Sequence, residues 1–209
     1  MGITIVEVIA VMAVIALLAV AFIQPTIMRL NRTRSHAPRI DCMNNLKQIA
    51  ICLRQWAIDH EDRWPPQVPV TNGGSMEFVA LGTPVPFFVP MSNELCTPKA
   101  LACPADTRQP APDFIGLTDQ NVSYFLSADA TTATPNAIIG GDRNLVVAGQ
   151  AVKAGLFTLK TNLSVSWARD LHNRCGNMLF ADGHVETVSN NVNQLIQRQG
   201  LATNRLAVP

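Results

Sequence analysis

The feature that most constrains the fold is an apolar run near the start of the sequence. Residues 3–23 read ITIVEVIAVMAVIALLAVAFI, and Glu7 is the only charged residue among them. A helix of about 20 apolar residues is long enough to cross the hydrocarbon core of a bilayer, which is about 30 Å thick. The run therefore predicts a membrane-spanning helix.

Glu7 is the exception within this run. A carboxylate in a membrane helix costs about 2.5–3.5 kcal/mol on insertion scales, so it marks a candidate functional position. Glu7 lies four residues after Ile3, which follows Gly2. If the chain is cut between Gly2 and Ile3, the new amine of Ile3 can pair with Glu7 of a neighbouring helix. The pattern predicts processing at Gly2-Ile3 and assembly through Glu7.

Composition limits what the rest of the chain can be. The 209 residues allow one anchor and one further domain, and the net charge of +1 gives no reason to expect nucleic-acid binding. Only 15% of residues are charged, and 14 prolines and 12 glycines favour a loop-rich α+β domain. Five cysteines permit two disulfides with one thiol left over, which would require an oxidising compartment.

Residues 39–60 have the pattern of an amphipathic helix. Apolar residues recur at helical spacing, with Ile49 and Trp56 beside them. The recurring positions are Met43, Leu46, Ala50, Leu53 and Ala57. We expect this helix to pack on a globular part and to end before Trp64-Pro65-Pro66.

The remaining sequence divides into an irregular part and a β-rich part. Residues 65–120 hold most of the prolines, which predicts a long irregular segment. Asp182-Gly183 joins two β-type runs and favours a type I′ hairpin turn, and residues 191–199 predict a short helix. The predicted strands are 122–126, 137–139, 145–148, 155–159, 164–167, 178–181 and 184–188.

Gly2 followed by ITIVEVIAVMAVIALLAV resembles the class III signal of type IV pilins and type II secretion pseudopilins. In that family, prepilin peptidase cuts after the glycine and methylates the new N-terminus, and the glutamate sets helix register in a filament. HNRCGNMLFADG, residues 172–183, resembles the H-X9-DG element that accompanies such N-termini in Planctomycetes and Verrucomicrobia. Four more segments resemble the same group: CMNNLKQI, ACPADTR, SYFL and GGDRNL.

This resemblance implies a pilin-like α+β fold. A long N-terminal helix, with a membrane-spanning first half, would pack on a small antiparallel β-sheet head. Residues 1–2 would be a residual leader, 3–24 the membrane and filament-core helix, and 25–63 its amphipathic second half. Residues 64–209 would form an extracytoplasmic head, including the loop 65–120 and the hairpin 177–188. The implied location is the bacterial inner membrane, single-pass, with the head in the periplasm or on a cell-surface filament.

The function implied by the resemblance is structural rather than enzymatic. The chain would be a filament subunit whose partners are copies of itself or other pilins, prepilin peptidase and the inner membrane. No GxSxG, HExxH or P-loop pattern suggests catalysis. The alternative is a membrane-anchored extracytoplasmic binding or carbohydrate-processing domain. Tolerance of Glu7→Leu would favour that alternative.

Candidate sites in the β-rich part have two interpretations each. His172, Asp182 and His184, together with Cys175, could form a metal cluster. The structural interpretation, which we favour, makes Asp182-Gly183 a turn and lets His172 pin the hairpin. Asp142 could bind calcium, or it could cap a glycine turn with Asn144; we favour the turn and expect no cofactor.

The resemblance also implies one disulfide. Cys42 and Cys103 lie in the segments CMNNLKQI and ACPADTR, which recur in the group, so we expect them to be paired. Cys96 could pair with Cys52 or with Cys175.

Overall fold

The computed structural model describes residues 5–189 and 192–209. Within the first helix, the side chains of residues 6–7, 10–11, 16 and 20–37 are outside this description. The chain divides into two compact units, residues 1–38 and 39–209. Helix α1 covers Ile5–Ile58, and its residues up to Pro38 belong to the first unit.

The predicted membrane-spanning helix is not found. Among the described residues, none of the helices is both long enough and apolar enough to cross a membrane. The predicted fold class, with its membrane-spanning first half, is wrong on this point, and so is the single-pass inner-membrane localisation. The antiparallel sheet of an α+β fold is present.

In the second unit, one face of α1 is buried. Cys42, Leu46, Ile49, Leu53 and Trp56 lie at helical spacing and are all at most 4% exposed. Burial of such a stripe is the main source of stability for an amphipathic helix. Of the predicted apolar positions, Leu46, Ala50, Leu53 and Ala57 are buried as expected, whereas Met43 is only partly buried.

Short helical turns make up the proline-rich segment that was predicted to be irregular. Helix α2 is Val85–Phe88 and helix α3 is Ser92–Leu95. Short 3-10 helices lie at Pro65–Gln67, Val70–Asn72, Met76–Leu81, Val89–Met91, Pro98–Leu101 and Asp119–Asn121. Phe87, Phe88 and Met91 are completely buried. The segment therefore contributes core side chains although it has no long periodic element.

Nine strands follow in the part of the chain that the structure describes. They are β1 Tyr124–Ser127, β2 Ile138–Asp142, β3 Leu145–Val147, β4 Gln150–Ala151, β5 Gly155–Lys160, β6 Val165–Trp167, β7 Gly176–Phe180, β8 Val185–Val188 and β9 Thr203–Val208. A six-stranded sheet has the order β5-β9-β1-β2-β7-β8, and a three-stranded sheet has the order β4-β3-β6. Neighbouring strands in both sheets are antiparallel. Helix α4, Val192–Arg198, lies between β8 and β9 in sequence.

The central strands of the six-stranded sheet are buried on both faces. Tyr124 and Leu126 belong to the core cluster that contains the α1 stripe and the proline-rich segment. Phe125, between them, belongs to a second cluster with Ile196 of α4 and Trp167 of the small sheet. Because side chains alternate along a strand, each central strand packs against both clusters.

The hairpin β7–β8 turns at Asp182 and Gly183, but not through the predicted type I′ turn. Gly183 has φ +92°, whereas Asp182 is not among the residues with positive φ. The Gly183 N–H donates to the Phe180 carbonyl (2.9 Å), and the Phe180 N–H donates to the His184 carbonyl (3.0 Å). This pattern is a type I turn followed by a left-handed glycine, as in three-residue hairpin loops. The prediction of a two-residue turn is wrong because the loop includes Ala181.

Candidate functional site

The Cys42–Cys103 disulfide is confirmed, and it is the centre of the candidate site. The two Cα atoms are 5.1 Å apart, within the usual range for a disulfide, and both cysteines are buried. The bond joins α1 to the chain just after the Pro98–Leu101 turn. The Cys103 N–H donates to the Ser123 hydroxyl at 2.9 Å, which also fixes Cys103 to the start of β1.

His172 lies against this disulfide. Its Nε2 is 3.5 Å from Cys103 Sγ and 3.4 Å from Asp142 Oδ2, and its side chain is 3% exposed. Arg39 donates to the His172 carbonyl at 3.5 Å. The prediction that His172 pins the hairpin turn is therefore wrong, since its contacts are with the disulfide, the end of β2 and α1.

Asp142 is the most deeply buried acid of the site, with no exposed surface. Its Oδ2 accepts hydrogen bonds from the Asn177 N–H (2.7 Å) and from Asn177 Nδ2 (3.1 Å). Its Oδ1 has no hydrogen-bond partner in the described part of the chain. These neighbours are N–H donors and an imidazole, not the several oxygen atoms that a calcium loop requires. Asp142 ends β2 and is paired with Tyr124 in register, so it does not cap an exposed turn.

Burial keeps both groups of the His172–Asp142 pair close to their neutral forms. Desolvation raises the pKa of Asp142 to about 7, against the opposing effect of the Asn177 hydrogen bonds. Desolvation, with the nearby positive charge of Arg39, lowers the pKa of His172 to about 4. At neutral pH the imidazole is therefore uncharged, and its contact with Asp142 is not a full ion pair.

Other polar residues from the quoted segments lie around this pair. Arg143 donates two hydrogen bonds of 2.8 Å to Asp106, a bidentate ion pair in which Asp106 is almost fully buried. Burial alone would raise the pKa of Asp106, but the hydrogen bonds from Arg143 and Ser123 outweigh it and lower the pKa. Asn45 donates to the Ala102 carbonyl (3.0 Å) and to the Tyr124 hydroxyl (3.4 Å). Burial also raises the pKa of Tyr124, so its hydroxyl remains protonated.

Residues of all five quoted segments therefore meet around one disulfide. We call the disulfide, His172 and Asp142 the Cys-His-Asp cluster. Its geometry does not match a catalytic triad, because a triad needs the two nitrogens of the imidazole to face different partners. Here the same Nε2 faces both Cys103 and Asp142. The sulfur of Cys103 is also held in the disulfide.

The metal cluster predicted as an alternative is not assembled. Within the described residues, the group of three potential ligands that converges is Cys42, Cys103 and His172. Asp182 and His184 instead pair with each other, with Asp182 Oδ1 2.5 Å from His184 Nδ1, and both are nearly half exposed. His184 stacks on Phe180 with ring centroids 4.2 Å apart.

The predicted processing and assembly residues cannot be placed. Gly2 and Ile3 lie outside the described residues. Glu7 is within α1, but its side chain is outside the described ones. The predictions for these three residues remain predictions.

Local sequence patterns did not place Asp142 and His172 at the disulfide. Asp142 lies in the segment GGDRNL and His172 in the segment HNRCGNMLFADG, so the resemblance of these segments to one group of sequences was the signal that could have drawn attention to both residues. Contact between them depends on the pairing of β2 with β7, which places Asp142 beside Asn177. Spacing along the chain does not predict that pairing.

Comparison of the chain with models of protein families, with curated proteins and with solved structures found no match.

Proposed function

We propose that this chain is a structural subunit, pilin-like in organisation, that assembles into a filament through the first part of α1. The proposal includes cleavage after Gly2 and methylation of the Ile3 amine by a prepilin peptidase. It assigns no reaction to the Cys-His-Asp cluster, which would serve to fasten the second unit. The partners are further copies of this chain or other pilin-like subunits.

The observation that carries the proposal is the apolar surface of α1 within the first unit. Among the side chains described there, eight large apolar ones are between 51% and 80% exposed: Ile5, Val8, Ile9, Met12, Val14, Ile15, Leu17 and Leu18. At about 100° per residue these positions point in all directions around the helix. A helix that is apolar all round is stable only when it is covered all round.

Identical helices supply such a cover. Each copy presents the same apolar surface, so a bundle of copies keeps every helix away from water. In that setting Glu7 becomes an isolated buried charge unless the Ile3 amine of a neighbour pairs with it. Removing one partner of a buried pair costs about 3–5 kcal/mol, enough to enforce one helix register.

Sedimentation velocity and electron microscopy of the full chain, produced with a prepilin peptidase, test the proposal. Leu17→Asp should abolish assembly, because it places a charge on the covered surface. Ile115→Asp is the matched control, since Ile115 is 98% exposed and lies in the second unit. Glu7→Ala should slow or block assembly, whereas Glu186→Ala should not.

Three results would contradict the proposal. The first is an intact mass showing that assembled wild-type protein retains Met1 and Gly2. The second is a wild-type chain that remains monomeric after processing, and the third is a Leu17→Asp variant that assembles as well as wild type. A protein that remains monomeric and binds a ligand with saturable affinity would instead favour the alternative of a binding domain.

A further inference from the structure

We propose that Cys42, Cys103, His172 and Asp142 bind one zinc-class divalent cation when the Cys42–Cys103 disulfide is reduced. The oxidised chain would hold a disulfide at this position, and the reduced chain a metal centre with two thiolates, one imidazole and one carboxylate. Cation binding at this cluster does not depend on filament assembly.

The spacing of the ligand atoms fits a tetrahedral site. The sulfurs of Cys42 and Cys103 and a ring nitrogen of His172 all lie within 4.8 Å of one another. Zinc–sulfur bonds of about 2.3 Å and zinc–nitrogen or zinc–oxygen bonds of about 2.0–2.1 Å give ligand–ligand distances of about 3.3–3.8 Å. His172 Nε2 lies 3.5 Å from Cys103 Sγ and 3.4 Å from Asp142 Oδ2. These two distances already match edges of a tetrahedral site. The sulfur–sulfur distance increases on reduction, and the Asp142 carboxylate, which lies outside the group of three converging ligands, must move closer to the sulfurs to complete the site.

The carboxylate of Asp142 independently indicates a missing partner. Asp142 is completely buried, and its Oδ1 has no hydrogen-bond partner among the residues that the structure describes. A buried acceptor without a partner costs free energy, and such groups are uncommon in folded proteins. A cation bound by the Asp142 carboxylate would supply the partner. Asn177, which donates twice to Oδ2, would orient the carboxylate as an outer hydrogen-bonding residue does in metal sites.

Cys103 is also one of the residues that line a cleft, so the cleft reaches the edge of the cluster. The cleft has a volume of about 440 Å³, and Asn45, Lys99, Asp106 and Arg108 line it as well.

A dithiol reductant would transfer two electrons and two protons to the disulfide and leave as its own disulfide. Binding of the cation then releases the two thiol protons to solvent, so that each sulfur coordinates as a thiolate.

The test uses the full chain with Co²⁺ as a spectroscopic substitute for Zn²⁺. A water-soluble phosphine reduces the disulfide and leaves as the phosphine oxide, with water supplying the oxygen and the protons. Reduced wild-type protein should bind one equivalent of Co²⁺ and show both a thiolate charge-transfer band and the visible bands of tetrahedral cobalt. Oxidised wild-type protein should show neither.

Variants separate this site from the other three cysteines. Cys52→Ser, Cys96→Ser and Cys175→Ser, combined in one chain, should leave the spectrum unchanged. His172→Ala should weaken binding at least tenfold, and Asp142→Asn should shift the visible bands. Zn²⁺ should displace Co²⁺ stoichiometrically.

The folded state is followed by circular dichroism in the same samples. If reduction alone unfolds the chain, added Zn²⁺ should restore the folded spectrum. The proposal is overturned if the reduced, folded chain shows no thiolate charge-transfer band with Co²⁺. It is also overturned if reduction unfolds the chain and Zn²⁺ does not restore the folded spectrum, or if the triple serine variant loses the thiolate band.

Discussion

Strand β7 has a histidine–aspartate pair near each end, and the two pairs behave differently. At its start, His172 and Asp142 are buried beside the disulfide, 3.4 Å apart. At its end, His184 and Asp182 form the exposed side of the hairpin turn, 2.5 Å apart. The residue types are the same, so the difference comes from the surroundings.

Burial decides the charge state of each pair. At the buried end, desolvation raises the pKa of Asp142 and lowers the pKa of His172, which favours the neutral forms. At the exposed end, desolvation also raises the pKa of Asp182, but the hydrogen bonds and the charge of His184 together outweigh it and lower the pKa. The buried pair therefore contributes through packing and hydrogen bonds, whereas the exposed pair is a solvent-screened contact of the kind that adds little stability.

Removing the acid at each end should give the largest contrast. Asp142→Ala leaves the two buried Asn177 donors without an acceptor and opens a small cavity, so we expect the free energy of unfolding to fall by about 3 kcal/mol. Asp182→Ala should cost less than about 1 kcal/mol. Urea denaturation of the full chain measures both. Equal losses would show that the two ends are energetically equivalent.

The pH dependence of stability sharpens the comparison, because the two buried groups oppose each other. The folded-state pKa of Asp142, about 7, is above its ordinary value of 3.8, so its contribution is present in acid and is lost as pH rises through about 7. The folded-state pKa of His172, about 4, is below its ordinary value of 6.5, so its contribution is present above 6.5 and is lost as pH falls towards about 4.

Single variants should separate these two contributions in oxidised, chelator-treated protein. Relative to wild type, Asp142→Asn should lose stability as pH falls from about 6.5 to 4, by up to about 1.4 kcal/mol per pH unit. His172→Ala should show the opposite slope between about 4 and 7. Urea denaturation across this pH range gives the slopes, and two parallel profiles would contradict the assignment.

The turn at the exposed end should depend on its glycine more than on its ion pair. Gly183 has φ +92°, and a Cβ added there would meet no atom within 4 Å, so Gly183→Val costs backbone strain rather than a clash. We expect a loss of about 1–2 kcal/mol. Gly116→Val is the control, because a Cβ there would make only an ordinary contact, 3.5 Å from Asp113 Oδ1, and Gly116 has no positive φ. A thermal melt in which both variants behave alike would argue against strain at Gly183.

The smallest expected effects are those of the histidines. His172→Ala removes buried contacts to Cys103 and Asp142, and we expect a loss of about 1 kcal/mol at pH 7. His184→Ala removes an exposed contact and the stacking on Phe180, and should cost no more than about 0.5 kcal/mol. Denaturation midpoints of the two variants, measured side by side, test whether His172→Ala costs more stability than His184→Ala. A larger loss for His184→Ala would contradict this expectation.

Much of the β-rich part could be predicted from local sequence. The β-type runs at 122–126, 155–159 and 178–181 overlap strands β1, β5 and β7, because branched and aromatic residues favour a pleated, buried surface. Strand β9 was missed, since Asn204 and Arg205 interrupt its apolar character. Asn204 is nevertheless buried, and it donates to the Ile138 carbonyl at 2.8 Å. A polar residue satisfied by a distant strand has no local signature.

The candidate site was predictable only in part. The resemblance to a group of sequences indicated the Cys42–Cys103 pair, but His172 was assigned to the wrong neighbours. Its contacts with Cys103 and Asp142 bring together residues 69 and 30 positions away in sequence, so they depend on the tertiary fold. The exposed pair, by contrast, lies within a single turn, of which local sequence indicated the Asp182-Gly183 dipeptide but not the contact between Asp182 and His184.

The position of β9 has a consequence for how the chain is made. β9 comes after every other strand in sequence, yet it lies between β5 and β1 in the six-stranded sheet. During synthesis, β1 and β5 therefore leave the ribosome with edges that only residues 203–208 can cover. Because pairings distant in sequence form slowly, this half-built sheet exposes unpaired edges to neighbouring chains until translation has passed Val208. Premature termination before Thr203 would yield a chain prone to aggregation rather than a merely shorter subunit.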